Sequence, residues 1–270
     1  MVVRLLLLHD GRPIQVLVTP SAYLDHWALL DASADADLGE RFAKALEAAN
    51  GTLVLSWTNI AEFVRARSEE EAERAEAFIE RNLPRLFFLN PDPFGDQVRL
   101  GGAPGDEGML RAFSELKTPA GREFTAAGLL TVVRGQLLET HERMTAIFVE
   151  RVKALRAEYE RDAELAEKAD AVPADRGTRL VLKELLRDYM AVLKRPVDPK
   201  DAMDFYHTIV PSVFCDWVLI DGQRVAQMER VAKRLKDAGR DDIRLARLIS
   251  NKRASGGVLR LVEELEAARS

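Results

Sequence analysis

Four carboxylates, Asp25, Glu62, Asp204 and Asp221, recur at one kind of position in this chain: at or just past the end of an apolar strand, or on the helix leading into one. Two further acids, Asp201 and Asp216, an imidazole, His207, and a hydroxyl, Ser56, lie beside them in sequence. Side chains at the carboxyl ends of neighbouring parallel strands face one edge of the sheet, so the four can converge there without any special folding event. Gathered within several ångströms they repel, and they cannot all stay ionised unless a cation compensates them. Ligation by oxygen alone selects Mg2+ or Mn2+ over zinc or copper. Such a site suits phosphodiester hydrolysis, because a bound metal lowers the pKa of water, orients the phosphate and stabilises charge on the attacking and leaving oxygens.

Taken singly, each acid has a plainer role. Asp25 can cap the helix that follows it. Asn59 and Glu62 fit a capping box, and Asp201 with Asp204 has the same spacing after Pro199. Asp221-Gly222 can be a turn. His207, one helical turn past Asp204 on the same face, can tune a metal-bound water or touch a scissile phosphate, or simply be hydrogen-bonded beside a core. Ser56 can orient a ligand or end its strand. Lys200, Arg224, Lys252 and Arg253 can rim the site toward phosphate or merely solvate the surface. The shared sheet edge favours the site, since capping acids scattered at random would not fall on it.

The elements that must position these residues follow from the apolar pattern. Runs at 2–8 and 14–18 around Asp10-Gly11 predict a β-hairpin. After Pro20 a short apolar stretch leads to Asp25 and a helical segment, and a further helix over 38–49 stops at Asn50-Gly51. Strands at Thr52–Ser56 and Leu86–Leu89 flank a charged helix over Glu69–Asn82. This alternation predicts a parallel sheet covered by helices.

From about Asp106 to Arg195 the pattern is helical throughout. There Leu130, Val133, Leu137, His141, Met144, Phe148, Val152, Leu155 and Tyr159 are spaced by threes and fours in an 11-residue repeat, which keeps one stripe on a nearly straight helix. Unbroken over 124–169, that helix would span roughly 70 Å, more than a compact domain needs. A second helix over 179–193 is placed to fold back along it as a hairpin. After Arg195-Pro196 the α/β pattern resumes, with a helix from near Asp201, a strand at Trp217–Ile220, a helix over 224–237, a strand over 243–249 and a last helix over 257–268. The expected organisation is a discontinuous α/β domain over 1–105 and 196–270, interrupted by a helical insertion over 106–195.

Composition bounds the function further. The 270 residues are 47% hydrophobic and 31% charged, as in a globular protein, and no apolar run reaches membrane-spanning length. The run Leu5 to Leu8 is too short, and too soon followed by His9 and Asp10, for a signal peptide. A single cysteine, Cys215, forms no internal disulfide, which predicts a cytoplasmic address. The net charge of −5 argues against coating nucleic acid by bulk electrostatics. It leaves room for an enzyme that cuts nucleic acid, because carboxylates awaiting a cation lower the net charge as they form the site.

This order of motifs resembles the PIN-domain nucleases, which include the toxin ribonucleases of toxin–antitoxin operons. The matching pieces are Tyr23-Leu24-Asp25, the strand Leu53 to Ser56 running on through Asn59 to Glu62, and Asp201 to Asp204 followed by Phe214-Cys215-Asp216-Trp217 through Asp221. The resemblance covers about 1–95 and 196–270. It implies a parallel three-layer α/β/α sandwich, Mg2+ or Mn2+ as cofactor, and endoribonuclease activity on single-stranded or structured RNA. Asp25, Glu62, Asp204 and Asp221 are then the metal ligands and catalytic acids, with Asp201 or Asp216 supplementary and Asp31 an alternative to Asp25. The helical insertion lies outside the resemblance and is the expected place for an antitoxin-like or other protein partner; its apolar stripe is core or a homo-oligomer contact, and the apolar run lengths give a membrane no role. A second reading, from another class, keeps the fold as a catalytically weak or inactive interaction module that binds through the insertion, with the acids serving as caps.

Overall fold

The computed structural model describes residues 5–7, 13–59, 68–92, 103–106, 142–143, 145–154, 156–157, 177–192 and 196–267. Glu62, most of the helical insertion and seven of the nine stripe positions lie outside the described residues. Near the start, β1 (Leu5–Leu7) and β2 (Pro13–Gln15) pair antiparallel, as the predicted hairpin requires.

The main sheet is built from β3 (Ser21–Leu24), β4 (Thr52–Ser56), β5 (Leu86–Leu89), β6 (Trp217–Ile220) and β7 (Arg247–Ser250). All four pairings are parallel, in the order β5-β4-β3-β6-β7. β3 to β6 are near-continuous apolar runs because they are covered on both faces. Successive residues alternate between two cores. Ala22, Leu24, Leu53, Leu55, Phe88 and Leu219 enter the first, while Tyr23, Val54, Phe87, Leu89, Val218 and Ile220 enter the second.

The first core is closed by α1 (His26–Ala34), α2 (Ala36–Ala48), α3 (Glu69–Asn82) and α7 (Gly257–Ala267), through side chains such as Leu29, Phe42, Phe78 and Leu261. The second is closed by α4 (Gly177–Val192), α5 (Pro199–Phe214) and α6 (Gly222–Asp237), through Leu185, Phe205, Ile209 and Met228. The result is the three-layer α/β/α sandwich with a parallel central sheet that the alternation predicts. Among the described residues no helix is long and apolar enough to cross a membrane.

Three local features depart from the sequence reading, each for a visible reason. α5 starts at Pro199, because Asp198 is the cap: its Oδ1 accepts from Asp201 N at 2.7 Å, and a proline at the first helical position lacks only a donor with no partner there anyway. The predicted strand over 243–249 shrinks to β7, because Ala246 N donates to Ser212 O at 2.8 Å and the chain joins the sheet only at Arg247. α4, numbered within the expected insertion, belongs to the second helical layer. There Arg234 of α6 binds the buried Glu184 carboxylate and also donates through Nη2 to its backbone oxygen at 2.8 Å. The two stripe residues whose side chains are described behave alike. Phe148 and Val152 are buried in the same core, with the Phe148 ring stacked on Tyr206 at 4.0 Å.

Candidate functional site

From β3 the chain steps outward through β4 to β5, then returns to place β6 on the other flank of β3. The crevice outside the carboxyl ends of β3 and β6 is therefore the topological switch point of the sheet, where open α/β folds bind ligands. Asp25 is the first residue past β3 and Asp221 the first past β6, so these two acids flank that crevice. Asp25 N donates to Leu219 O at 3.0 Å, extending the β3–β6 register by one step. Tyr23 faces the second core, and by strand alternation Asp25 leans the same way. That is the side on which α5 lies, carrying Asp204 and His207.

The two sheet-edge acids carry a structural duty as well. Asp25 Oδ1 accepts from His26 N at 2.8 Å and opens α1; Asp221 Oδ1 accepts from Gln223 N at 2.7 Å and Arg224 N at 3.2 Å and opens α6. The predicted turn at Asp221-Gly222 is thus a helix cap. Asp204 caps nothing and projects from the second turn of α5, its side chain about a quarter exposed.

These carboxylates sense one another. Burial pushes Asp25 up to about 7, against its bond from His26 N, and the negative charges of Asp204 and Asp221 push it the same way. Burial likewise pushes Asp204 up to about 6, opposed by Arg224 and reinforced by Asp221. Lys200 draws both back toward ordinary values. Burial is the larger cause in both, and the neighbouring negative charges add to it.

Arg224, which the sequence reading places on a phosphate-facing rim or at the surface, is buried, with its side chain 2% exposed. Its Nη1 donates to Gln227 Oε1 at 2.8 Å and its Nη2 to Asp201 O at 3.1 Å, while Nη2 stands 3.7 Å from Asp201 Oδ1 and 3.9 Å from Asp204 Oδ2. One residue thereby touches three of the acids, Asp221 through its backbone and Asp201 and Asp204 through its guanidinium. Its sequence position carried a signal. Arg224 is the third residue of α6, where the helix dipole disfavours a cation, so a specific partner was to be expected.

Behind Asp25 lies a buried polar network. Tyr23 Oη is hydrogen-bonded to His207 Nδ1 and, at 3.2 Å, to Ser56 Oγ, and His207 Nδ1 stands 3.8 Å from Asp25 Oδ1. Ser56 Oγ is also bonded to Thr58 Oγ1 and to Asn59 Oδ1. Asn59 turns its amide back toward the strands. Its Oδ1 accepts from Ser56 N at 2.7 Å and its Nδ2 donates to Leu24 O at 3.0 Å, tying the ends of β3 and β4 together. Thr58 had no functional signal, and Tyr23 and Asn59 entered only as parts of the matching motifs; the register, Tyr23 opposite Val54, brings them to one place. Tyr23→Phe removes the hydroxyl that joins His207 to Ser56 and is expected to lower unfolding free energy by about 1–3 kcal/mol in a denaturant titration.

Of the remaining candidates, Asp216 lies apart. It precedes β6, and its Oδ2 accepts from Ser21 N at 2.9 Å and Ser21 Oγ at 3.1 Å while its Oδ1 accepts from Arg244 at 2.8 Å. It therefore staples the amino ends of β3 and β6, roughly 16 Å of strand away from Asp221, and its supplementary role at the site is corrected to a structural one. Asp31 lies on the exposed side of α1. Asp201 is buried against Arg224. Lys252 is exposed, and its aliphatic stem lies across Gly222, where a Cβ would come within 2.6 Å of Lys252 Cε.

As a donor set, Asp25, Asp204 and Asp221 offer carboxylate oxygens only, which fits Mg2+ or Mn2+. Among the described residues, no group of three His, Cys, Asp or Glu side chains is placed to hold an ion. The protein is an α/β/α sandwich with Asp25 and Asp221 at its switch point and Asp204 on the adjoining helix. Comparison with protein-family models, curated proteins and solved structures returned no match.

Proposed function

We propose that this chain is a PIN-like, metal-dependent endoribonuclease that hydrolyses phosphodiester bonds. The observation that carries the reading is the meeting of Asp25, Asp204 and Asp221 at the switch point, where Asp25 and Asp204 have raised pKa values because burial and mutual repulsion disfavour their charge. Bound there, Mg2+ or Mn2+ supplies an activated water and charge stabilisation for an in-line displacement at phosphorus. Asp25, Asp204 and Asp221 would hold the ion, with Glu62 as the fourth acid that the resemblance supplies. Tyr23 and His207 brace Asp25 from within, and exposed Lys200 and Lys252 attract the phosphate backbone of RNA. The helical insertion selects the substrate or an antitoxin-like partner, and a cytoplasmic address accords with the single buried thiol, Cys215.

A second reading draws on the capping bonds of Asp25 and Asp221: the acids are structural and the protein is a binding module working through its insertion. The asparagine variants separate the two. Asparagine caps a helix about as well as aspartate but is a poor ligand for a hard cation. Asp25→Asn and Asp221→Asn are therefore expected to keep thermal stability within about 0.5 kcal/mol or raise it, and to lose Mn2+-dependent cleavage of a labelled single-stranded RNA. Cleavage at the wild-type rate by both variants sinks the nuclease reading.

A further inference from the structure

The cations of this chain are unevenly spread. Residues 224–260 hold eleven lysines and arginines against four acids, a net charge of +7 in a chain whose total is −5. They form most of α6, the loop behind it, β7 and the start of α7, and β7 is the outermost strand on its side of the sheet. Along that edge each arginine is held by a carboxylate more hidden than itself. Arg244 donates through Nη2 to Asp216 Oδ1 at 2.8 Å, and the two side chains are 82% and 14% exposed. Arg247 and Arg260 share Glu264, at 3.3 Å and 2.9 Å; the arginines are 74% and 51% exposed and the acid 22%. Trp217 Nε1 also donates to Glu264, at 2.6 Å, and holds it inward. The acids lie beneath and the guanidiniums face water, so the edge presents positive potential in spite of its formal pairing.

These cations also stand in a row. Arg244 precedes β7, Arg247 opens it, and the strand then runs about 13 Å toward the crevice. Arg260 lies beside the loop that follows, where a Cβ on Gly256 would come within 2.8 Å of Arg260 Cβ. Lys252, exposed and with its stem across Gly222, ends the row next to Asp221. Planar guanidinium forks match phosphate oxygens, and a file of them suits a linear chain of phosphates, where a lone anion would use only one. At the other end of the sheet, β5 is preceded by α3, whose first turn is Glu69, Glu70 and Glu71. Charge is thus separated across the sheet order, which steers a polyanion to the β7 side.

We propose that the β7 edge is a docking strip for the sugar-phosphate backbone of single-stranded nucleic acid, which Arg244, Arg247 and Arg260 lead to Lys252 and the switch-point crevice. The inference rests on the RNA reading above, takes nothing from the metal, and adds where the strand lies outside the crevice.

The test is binding of a labelled single-stranded RNA to the full chain in chelator, followed by fluorescence anisotropy over a range of salt. Wild type is expected to bind with an affinity that falls steeply as salt rises. Arg244→Gln/Arg247→Gln/Arg260→Gln is expected to bind at least about 10-fold more weakly at low salt, and to flatten the slope of log affinity against log salt by about 2, since each phosphate contact on a single strand contributes about 0.7. Lys44→Gln/Arg74→Gln/Arg81→Gln removes the same charge from exposed positions on α2 and α3 and is expected to bind like wild type. Exposed ion pairs contribute little to stability, so both variants should melt close to wild type. Should the first fail to fold, Arg244→Gln alone must still lower the slope by about 0.7. Unchanged affinity and slope in the arginine variant overturn the strip and leave the nuclease reading standing. Equal losses in both triple variants mean diffuse charge, and displacement of the RNA by polyglutamate at equal charge means an acidic protein partner; either result overturns the strip too. Wild type that binds no RNA in chelator also overturns it, and Mn2+-dependent cleavage then decides the nuclease reading by itself.

Discussion

Asp204→Asn is expected to reduce Mn2+-dependent RNA cleavage by at least about 100-fold and, in chelator at neutral pH, to make the protein more stable than wild type. The two effects have one cause. Asp204 projects into the crevice without capping a helix, and burial together with Asp221 pushes its pKa up to about 6 despite the opposing charge of Arg224. Because that net shift is upward, the ionised carboxylate is a liability in the metal-free fold. The sign follows from linkage: a folded-state pKa above the unfolded value gives stability that is present below about pH 4 and is lost as pH rises through about 6. The melting difference between Asp204→Asn and wild type should therefore be small at pH 4 and widen to several degrees by pH 7.5. Added Mn2+ should raise the wild-type Tm and leave the variant's unmoved. A variant less stable than wild type at pH 7.5 in chelator would mean that the pair with Arg224 outweighs burial and repulsion.

Asp201→Ala should do the opposite, although it lies only one helical turn away. Asp201 is buried against Arg224, and truncating it removes one of the two carboxylates beside a guanidinium that is 2% exposed, leaving Asp204 at 3.9 Å. Removing one partner of a buried ion pair costs about 3–5 kcal/mol, and Asp204 should reduce that toward the lower end. Chemical denaturation of Asp201→Ala is the check, with a loss of about 3 kcal/mol expected. A loss below about 1 kcal/mol would show that Arg224 does not depend on this acid. The contrast between a stabilising substitution at Asp204 and a costly one at Asp201 separates an acid placed for a ligand from one placed for the fold.

Legibility in the sequence followed the degree of burial. Thr52–Ser56, Leu86–Leu89 and Trp217–Ile220 are readable to the residue because each carries nothing but buried side chains, the edge strand Leu86–Leu89 included. β7 was overextended because its first two residues are not buried, whereas Ile243 and Leu245 pack on the second core from a loop while keeping the look of a strand. Asp25 and Asp221 could be placed from their position after a strand. Asp216 could have been set aside by the same logic, since an acid before a parallel strand belongs to the opposite edge. What no local pattern carries is the register that sets Tyr23 beside Ser56 and His207, or the reach of Arg224 back across α5 to Asp201. Those contacts join residues up to 184 positions apart, and only the assembled sheet defines them. The dual use of Asp25 and Asp221 as caps explains why each acid taken alone looked structural.

A calorimetric titration of Mn2+ into wild type, Asp25→Asn and Asp204→Asn at pH 7 tests the shared carboxylate site most directly. The arrangement of Asp25, Asp204 and Asp221 predicts saturable binding to wild type that either substitution weakens by about 100-fold or more. Proton release should accompany binding, as Asp25 and Asp204 surrender the protons that their raised pKa values retain. Absence of binding to wild type, or equal binding to all three proteins, would contradict it.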